Sequence, residues 1–159
     1  MDIDGTIARW SDYDISSWNG TCLGDFEPYE DSVEVLRSWS QRGIEIVYIT
    51  FRDLQFQDMT YEWLRRHNYP NSGKVYFNDS FTVKSEIVRK IGGYGIVEDN
   101  SSVVRDCLSQ GQYVFLHDIP SANSASLEKN DQLILWRNWK ELDGIMSQIL
   151  EGRFHVGYK

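Results

Sequence analysis

The stretch Ile44-Glu-Ile-Val-Tyr-Ile-Thr50 decides the fold of this 159-residue chain, because it has the composition of a buried β-strand. Ile, Val, Tyr and Thr favour a pleated, packed backbone, and the run is short for a helix. Immediately before it, residues 29–41 have apolar side chains at helical spacing, and Gly43 stands where a helix C-cap is expected. A helix that leads into a buried strand is typical of an α/β sheet.

The alternation of strands and helices continues towards the C-terminus. Asp58 is in position to cap a second helix, and further helices are predicted over residues 84–91, 101–110 and 139–150. Short apolar runs predict strands at Val75–Phe77, Gly95–Glu98, Tyr113–Leu116 and Leu133–Trp136. The sequence therefore predicts one Rossmann-like α/β domain over residues 1–159, with a mostly parallel sheet and helices on both faces.

Composition limits the classes of function. The formal net charge is −8, which disfavours capture of long nucleic acid by a basic surface and leaves a small anionic substrate open. No apolar run approaches the roughly 20 residues of a membrane span, and no signal peptide is visible. We therefore expect a cytoplasmic protein without a membrane partner. Cys22 and Cys107 lack metal-binding spacing, and the sequence leaves their redox state and the oligomeric state open.

Polar and charged residues stand where the predicted strands end, which is the edge where such sheets bind ligands. Asp2-Ile-Asp4-Gly-Thr6 opens the chain, Thr50 ends a strand, Lys84 begins a helix, and Glu98-Asp99 follows another strand. Taken singly, these residues have ordinary interpretations as a turn, a strand residue, a surface lysine or a helix cap. In this order they resemble, over nearly the whole chain, the four motifs of haloacid dehalogenase (HAD) phosphatases.

The resemblance implies a magnesium-dependent phosphatase with an aspartyl-phosphate intermediate. Asp2 would be the nucleophile, and Asp4 would protonate the leaving oxygen and then take a proton from water. Thr50 would hydrogen-bond a phosphoryl oxygen, and Lys84 would offset negative charge. The oxygen ligands that Mg²⁺ prefers would come from the carboxylates of Asp2 and Asp99 and from the backbone carbonyl of Asp4. Glu98 would support these ligands without binding the ion directly.

One departure from the family pattern concerns the strand before the nucleophile. HAD phosphatases have a buried hydrophobic strand there, whereas only Met1 precedes Asp2. We expect this strand to be missing or shortened, either because the natural start lies upstream or because the protein has a truncated strand. How firmly Asp2 is held for catalysis depends on whether a strand supports it.

The segment between Asp4 and the predicted helix at 29–41 is too short for a separate cap domain, so a short flap is predicted at about residues 9–28. Asn19-Gly20 is a strong hairpin signal, and aromatic side chains in the flap would stack on a base or cover the core. Arg52 is either a cation for substrate phosphate or an exposed loop residue. The candidate substrate-binding residues are Thr6, Trp10, Tyr13 and Arg52.

Two subfamilies that act on nucleotide phosphates are similar to parts of the chain. Thr50-Phe-Arg52 and Lys84-Ser-Glu-Ile87 resemble the 3′-phosphatase domain of phage-type polynucleotide kinases. Pro120–Asn123 and Arg137–Leu142 are similar to the 5′(3′)-deoxyribonucleotidases, whose helical cap is missing here. We expect a nucleotide or a short nucleic-acid end as substrate. The alternatives are a sugar or metabolite phosphatase and a degenerate HAD fold that acts as a binding protein.

Overall fold

The computed structural model describes residues 1–9, 26–78 and 83–152. The chain forms two compact units, Met1–Phe81 and Thr82–Lys159. The strands in both units pair in parallel and alternate with helices, which confirms the predicted α/β class. That the chain is one domain stays a prediction, as does the flap, whose residues 10–25 lie outside the described part.

The N-terminal unit contains a parallel pair of strands and two helices. Strand β1 (Tyr48–Thr50) pairs with β2 (Val75–Phe77), so that Thr50 lies opposite Phe77. Helix α1 spans Ser32–Gln41, and α2 spans Gln57–Arg66 after a 3₁₀ turn. The core of this unit contains large apolar and aromatic side chains, which include Leu36, Trp39, Tyr48, Ile49, Trp63 and Leu64.

Strand β1 is shorter than the predicted strand over residues 44–50. The backbone N–H of Ile44 donates to the carbonyl of Trp39 at 3.0 Å, so it completes the end of α1 rather than a sheet ladder. Gly43 makes this ending possible, because its φ of +88° is a left-handed conformation that glycine adopts without strain. The pairing of β1 with β2 begins at Tyr48, opposite Val75.

The start of α2 also differs from the prediction. Phe56, and not Asp58, is the N-cap residue, and Asp58 lies in the first turn of the helix. The side chain of Asp53 caps the preceding 3₁₀ turn by accepting from the N–H of Gln55 at 3.1 Å. A carboxylate in the first turn also stabilises a helix through the helix dipole. The sequence alone therefore does not distinguish an aspartate at the N-cap from one in the first turn.

The C-terminal unit contains a parallel sheet of order β3-β4-β5. Its elements, in chain order, are α3 (Val83–Lys90), β3 (Gly95–Glu98), α4 (Ser101–Ser109), β4 (Tyr113–His117), β5 (Leu133–Trp136) and α5 (Trp139–Leu150). Asn100 caps α4 by accepting from the N–H of Ser102 at 2.9 Å. At the carboxyl edge of this sheet, Glu98 lies opposite Leu116 and His117 lies opposite Trp136.

Two helices of this unit bury one face each. In α4, Val104 and Cys107 are buried and Leu108 is half-buried. In α5, the buried residues are Trp139, Leu142 and Met146, and Ile145 and Ile149 are half-buried. None of the helices in the described residues is long and apolar enough to cross a membrane.

Candidate active site

Two backbone hydrogen bonds fix the position of Asp2. The amino group of Met1 donates to the carbonyl of Val47 at 3.0 Å, and the N–H of Ile49 donates to the carbonyl of Met1 at 2.9 Å. Met1 thus bonds to the residues on either side of Tyr48, which is the bonding pattern of parallel strands. Met1 therefore extends the sheet beside β1, and Asp2 is held at the carboxyl edge although only one residue precedes it.

The segment after Asp2 folds into a tight turn. The carbonyl of Ile3 accepts from the N–H groups of Ile7 and Ala8, both at 2.9 Å. Gly5 has a φ of +80°, which explains the glycine in this turn. Thr6 is buried, and its hydroxyl lies 3.5 Å from a carboxylate oxygen of Asp2, to which it donates. Thr6 thus contacts the predicted nucleophile.

The base of the predicted flap is visible on either side of residues 10–25. The N–H of Arg9 donates to the carbonyl of Glu27, and the N–H of Tyr29 donates to the carbonyl of Ile7, both at 2.9 Å. An antiparallel bridge joins Ala8 and Pro28 between these bonds. Both ends of the segment are therefore tied together next to the turn that carries Asp4. Trp10 and Tyr13 lie outside the described residues.

Arg52 and Asp4 form a two-point ion pair. The guanidinium Nε donates to Oδ2 of Asp4 at 2.9 Å, and Nη2 donates to Oδ1 at 2.6 Å. The side chain of Arg52 has no exposed surface, and that of Asp4 is 13% exposed. The third nitrogen, Nη1, donates to the hydroxyl of Thr60 at 3.2 Å. The guanidinium also lies 5.9 Å from the centre of the Trp63 ring.

Thr50 is the buried last residue of β1. Its hydroxyl oxygen accepts from the backbone N–H of Arg52 at 3.3 Å, and its carbonyl accepts from the N–H of Asn78 at 2.8 Å. These bonds fix both the side chain and the backbone at the strand end. Within the N-terminal unit, the structure therefore brings together Asp2, Asp4, Thr6, Thr50 and Arg52, all predicted from the sequence as site residues.

In the C-terminal unit, Lys84 and Glu98 form a second buried ion pair. The ammonium of Lys84 donates to Oε2 of Glu98 at 2.8 Å, and each side chain is 1% exposed. The other oxygen, Oε1, accepts from the backbone N–H groups of Asp99 and Asn100, both at 3.2 Å. Both oxygens of Glu98 thus have donors from this unit. The half-buried Asp99 follows it at the strand end.

Cys107 lies near this pair but has no nucleophilic character. Burial raises the pKa of its thiol to about 12, and the negative charges of Glu98 and Asp106 act in the same direction. The positive charge of Lys84 acts in the opposite direction and is outweighed. A thiol with this pKa is neutral at physiological pH, and the thiolate is the reactive form. Cys107 is free and buried, and Cys22 lies outside the described residues.

Sequence reasoning gave no site role to Thr60 and Trp63, which contact the guanidinium of Arg52. Both lie on the buried face of α2, three positions apart, and a buried threonine and tryptophan at helical spacing indicate packing rather than a site. The only available signal was their position, close after Arg52 in the sequence. The pairing of Arg52 with Asp4 joins residues 48 positions apart and left no local pattern.

Two solved structures with a similar architecture are phosphatases. D,D-heptose 1.7-bisphosphate phosphatase from B. bronchiseptica, solved with magnesium and phosphate, gives a TM-score of 0.65 at 12% identity, over 95% of this chain and 96% of that chain. The class C acid phosphatase from Bacillus anthracis gives 0.57 at 15% identity, over 99% of this chain and 78% of that chain. At these identities the likeness defines the fold alone, which is a Rossmann-like α/β fold shared with these phosphatases.

Within that fold class, the sequence identifies a narrower family. The model of the PITM 1-3 LNS2 domain matches residues 1–103, which is more than half of the chain. The chain belongs to this family. None of the curated proteins gives a significant match to the sequence.

Proposed function

We propose that this chain is a magnesium-dependent phosphomonoester hydrolase with Asp2 as its nucleophile. The observation that carries the proposal is the arrangement at the carboxyl edge of β1. There, Asp2 and Asp4 lie on a turn that backbone bonds from Val47 and Ile49 hold in place, beside the buried Thr50. A fixed carboxylate can act as the nucleophile in covalent phosphoryl transfer, and Asp4 supplies the acid–base group that the resemblance to HAD phosphatases implies.

The proposed reaction has two steps. In the first, a carboxylate oxygen of Asp2 attacks phosphorus, the bond from phosphorus to the ester oxygen breaks, and the Asp4 carboxyl gives its proton to the departing alcohol. In the second, water attacks phosphorus of the aspartyl-phosphate while the Asp4 carboxylate takes a proton from that water. Inorganic phosphate leaves, and both aspartates return to their starting states.

Thr50 and Lys84 have supporting roles in this proposal. The Thr50 hydroxyl would donate to a phosphoryl oxygen, and its bond with the backbone of Arg52 holds its oxygen at the strand end. Lys84 would offset the negative charge that accumulates in the transition state. Its pairing with Glu98 fixes the ammonium in a buried position, so that little reorganisation is needed when charge develops.

The available donors suit magnesium, which prefers carboxylate and carbonyl oxygens. The resemblance to HAD phosphatases supports Asp2, Asp99 and the carbonyl of Asp4 as its ligands. Glu98 is better suited to supporting these residues than to direct ligation, because both of its oxygens already accept hydrogen bonds. When bound, magnesium reduces the repulsion between a carboxylate nucleophile and a phosphate dianion.

For the substrate we propose a nucleotide or a short nucleic-acid end that carries a phosphomonoester. The similarity of the segments at Thr50–Arg52 and Lys84–Ile87 to the 3′-phosphatase domain of phage-type polynucleotide kinases supports this class. The aromatic residues Trp10 and Tyr13 of the flap segment would stack on the base. A sugar phosphate is the second candidate, since a heptose bisphosphate phosphatase has the same fold.

A substrate panel tests the proposal. Phosphate release is measured with magnesium or with EDTA on 5′- and 3′-mononucleotides, a 3′-phosphorylated oligonucleotide, several sugar phosphates and p-nitrophenyl phosphate. We expect magnesium-dependent release that EDTA abolishes, with the highest kcat/KM for a nucleotide substrate. A preference for a sugar phosphate would contradict the substrate class alone. No release from any substrate by folded protein would contradict the activity and favour a binding protein.

A further inference from the structure

We infer that Arg52 is a positioning residue that orients the Asp4 carboxyl group for proton transfer, and not a cation that binds substrate phosphate. The inference rests on the proposed function, because it assigns a role within that reaction. It differs from both sequence-based interpretations of Arg52, which were a cation for substrate phosphate and an exposed loop residue. The evidence lies in where each guanidinium nitrogen is engaged and in how completely the side chain is buried.

The contact between Arg52 and Asp4 fixes an orientation as well as a distance. Nε and Nη2 donate to different oxygens of the same carboxylate, at 2.9 and 2.6 Å. Such a two-point contact makes the guanidinium and the carboxyl group coplanar and restricts rotation of the Asp4 side chain. Each carboxyl oxygen keeps a second lone pair, on which Asp4 can carry the proton that it donates. A single ammonium, as in lysine, would hold the carboxylate as a point charge and leave this rotation free.

Arg52 is itself held by groups that are not part of the reaction. Its Nη1 donates to the hydroxyl of Thr60 at 3.2 Å, and that hydroxyl donates onward to the carbonyl of Phe56 at 2.9 Å. The guanidinium also approaches the face of Trp63, whose indole N–H is fixed by the carbonyl of Phe26 at 2.7 Å. The guanidinium is therefore anchored by α2 and the turn before it.

Burial separates the two possible roles of Arg52. Its side chain has no exposed surface, whereas the Asp4 side chain is 13% exposed. All three guanidinium nitrogens donate to groups of the protein. A phosphate would have to replace these partners to bind Arg52, while Asp4 reaches the surface at which a substrate arrives. Arg52 therefore acts on the substrate through Asp4.

The dependence of the rate on the leaving group distinguishes positioning from substrate binding. An alkoxide leaving from a nucleotide or sugar phosphate needs a proton, whereas p-nitrophenolate is weakly basic and leaves without one. The value of kcat/KM includes steps only up to the first cleavage of the phosphorus–oxygen bond, so the later water step does not enter. Loss of proton donation should therefore lower kcat/KM for an alkyl phosphate selectively.

The experiment compares Arg52→Lys with wild type on p-nitrophenyl phosphate and on the alkyl phosphate that wild type hydrolyses best. General acid catalysis contributes roughly 100- to 10,000-fold, and lysine retains a charge without the fixed orientation. We expect a loss of about 10- to 100-fold for the alkyl phosphate and less than about threefold for p-nitrophenyl phosphate. Asp4→Asn should show the same selectivity, and the double variant should not increase it.

Three further variants control for a folding defect. Thr60→Val removes the hydroxyl that holds Nη1 and should give a smaller loss with the same selectivity, whereas Thr60→Ser should retain wild-type values. Arg65→Gln, an exposed arginine of the same helix, is the control and should leave both substrates unchanged. Each variant is first checked for wild-type circular dichroism and melting temperature.

The outcomes separate failure of this inference from failure of the proposed function. An equal loss on both substrates, or a rise in KM with unchanged kcat, would overturn the positioning role, since a phosphate-binding cation acts on both substrates alike. If wild type hydrolyses neither substrate, the proposed function fails, and the inference that rests on it falls with it. A loss of kcat/KM for the alkyl phosphate alone, in Arg52→Lys or in Thr60→Val, supports the positioning role of Arg52.

Discussion

At the scale of single residues, charge at the strand ends is organised in buried pairs. Asp4 pairs with Arg52 in the N-terminal unit, and Lys84 pairs with Glu98 in the C-terminal unit. A buried ion pair adds little stability compared with a well-packed apolar pair, because both charges lose their hydration. Removal of one partner lowers stability strongly, because the other charge stays buried without a counter-charge. These pairs are therefore better explained by the positions they impose on reactive groups than by stability.

The first prediction concerns Lys84. Lys84→Met leaves the Glu98 carboxylate buried without its ammonium, so we expect the free energy of unfolding to fall by about 3–5 kcal/mol. Lys74→Met is the matched control, because Lys74 pairs with Glu45 at the surface, where both side chains are more than half exposed. An exposed pair contributes at most about 1 kcal/mol. Urea unfolding measures both values, and equal losses would contradict the buried role of Lys84.

The second prediction concerns Cys107, whose pKa burial raises to about 12. The folded protein holds this proton more tightly than the unfolded chain does. The stability from this group is therefore complete below the ordinary thiol pKa and is lost as the pH rises towards 12. We expect iodoacetamide at mildly alkaline pH to label Cys107 only after unfolding in urea, as followed by peptide mass spectrometry. Rapid labelling of the native protein would contradict the burial.

The site could be predicted from the sequence where local motifs carry it. Asp2, Asp4 and Thr50 could be proposed as site residues because the turn Asp2-Ile-Asp4-Gly-Thr6 and a strand-terminal threonine leave patterns in neighbouring residues. The partner of Arg52 could not be found, because the pair spans 48 residues and depends on how the turn meets β1. The residues around a loop arginine do not indicate whether its side chain is buried or exposed.

At the scale of elements, the types of helices and strands were predictable, and their ends were less so. Apolar periodicity located α1 and β1, because the burial of one face leaves a repeat in the sequence. Residues 44–47 of the predicted strand lie outside the pairing of β1 with β2, and the N–H of Ile44 bonds back to α1. The strand before Asp2 was predicted to be missing or shortened. Met1 bonds to Val47 and Ile49, and these two backbone bonds hold Asp2 beside β1.

The third prediction concerns the pairing of β3 with β4, where Gly95 lies opposite Tyr113. A Cβ at residue 95 would lie 2.4 Å from the Tyr113 carbonyl oxygen, so one strand would have to move. We expect Gly95→Ala to lower stability by roughly 1–3 kcal/mol. Gly144→Ala is the control, since nothing lies within 4 Å of its Cβ and alanine favours α5 by about 0.5–1 kcal/mol. Similar melting temperatures for both variants would contradict the close approach.

At the scale of the whole molecule, the formal charge of −8 disfavours the capture of long polyanions. A protein that repels polyanions depends on short-range contacts to hold a phosphate, so a small substrate is favoured over long nucleic acid. Charge is readable from the sequence without a structure. The identity of the substrate is not, because it depends on the contacts made by the flap segment and by the surfaces around Asp4.

The fourth prediction follows from this repulsion. Raising the ionic strength from about 0.01 M to 0.15 M shortens the screening length from about 30 to 8 Å. We expect the ratio of kcat/KM for a 3′-phosphorylated oligonucleotide to that for a mononucleotide to rise with added salt. Binding through a basic surface would instead make the ratio fall steeply, through counterion release. Steady-state assays at several salt concentrations separate the two.

The central claim is that Asp2 carries the phosphoryl group during the reaction, and trapping this intermediate tests it most directly. Protein is quenched with acid during turnover of p-nitrophenyl phosphate with magnesium, and the N-terminal peptide is analysed by mass spectrometry. We predict an added mass of one phosphoryl group on Asp2, absent without magnesium and absent in Asp2→Asn, which releases no phosphate. Phosphate release by Asp2→Asn at the wild-type rate would contradict the account.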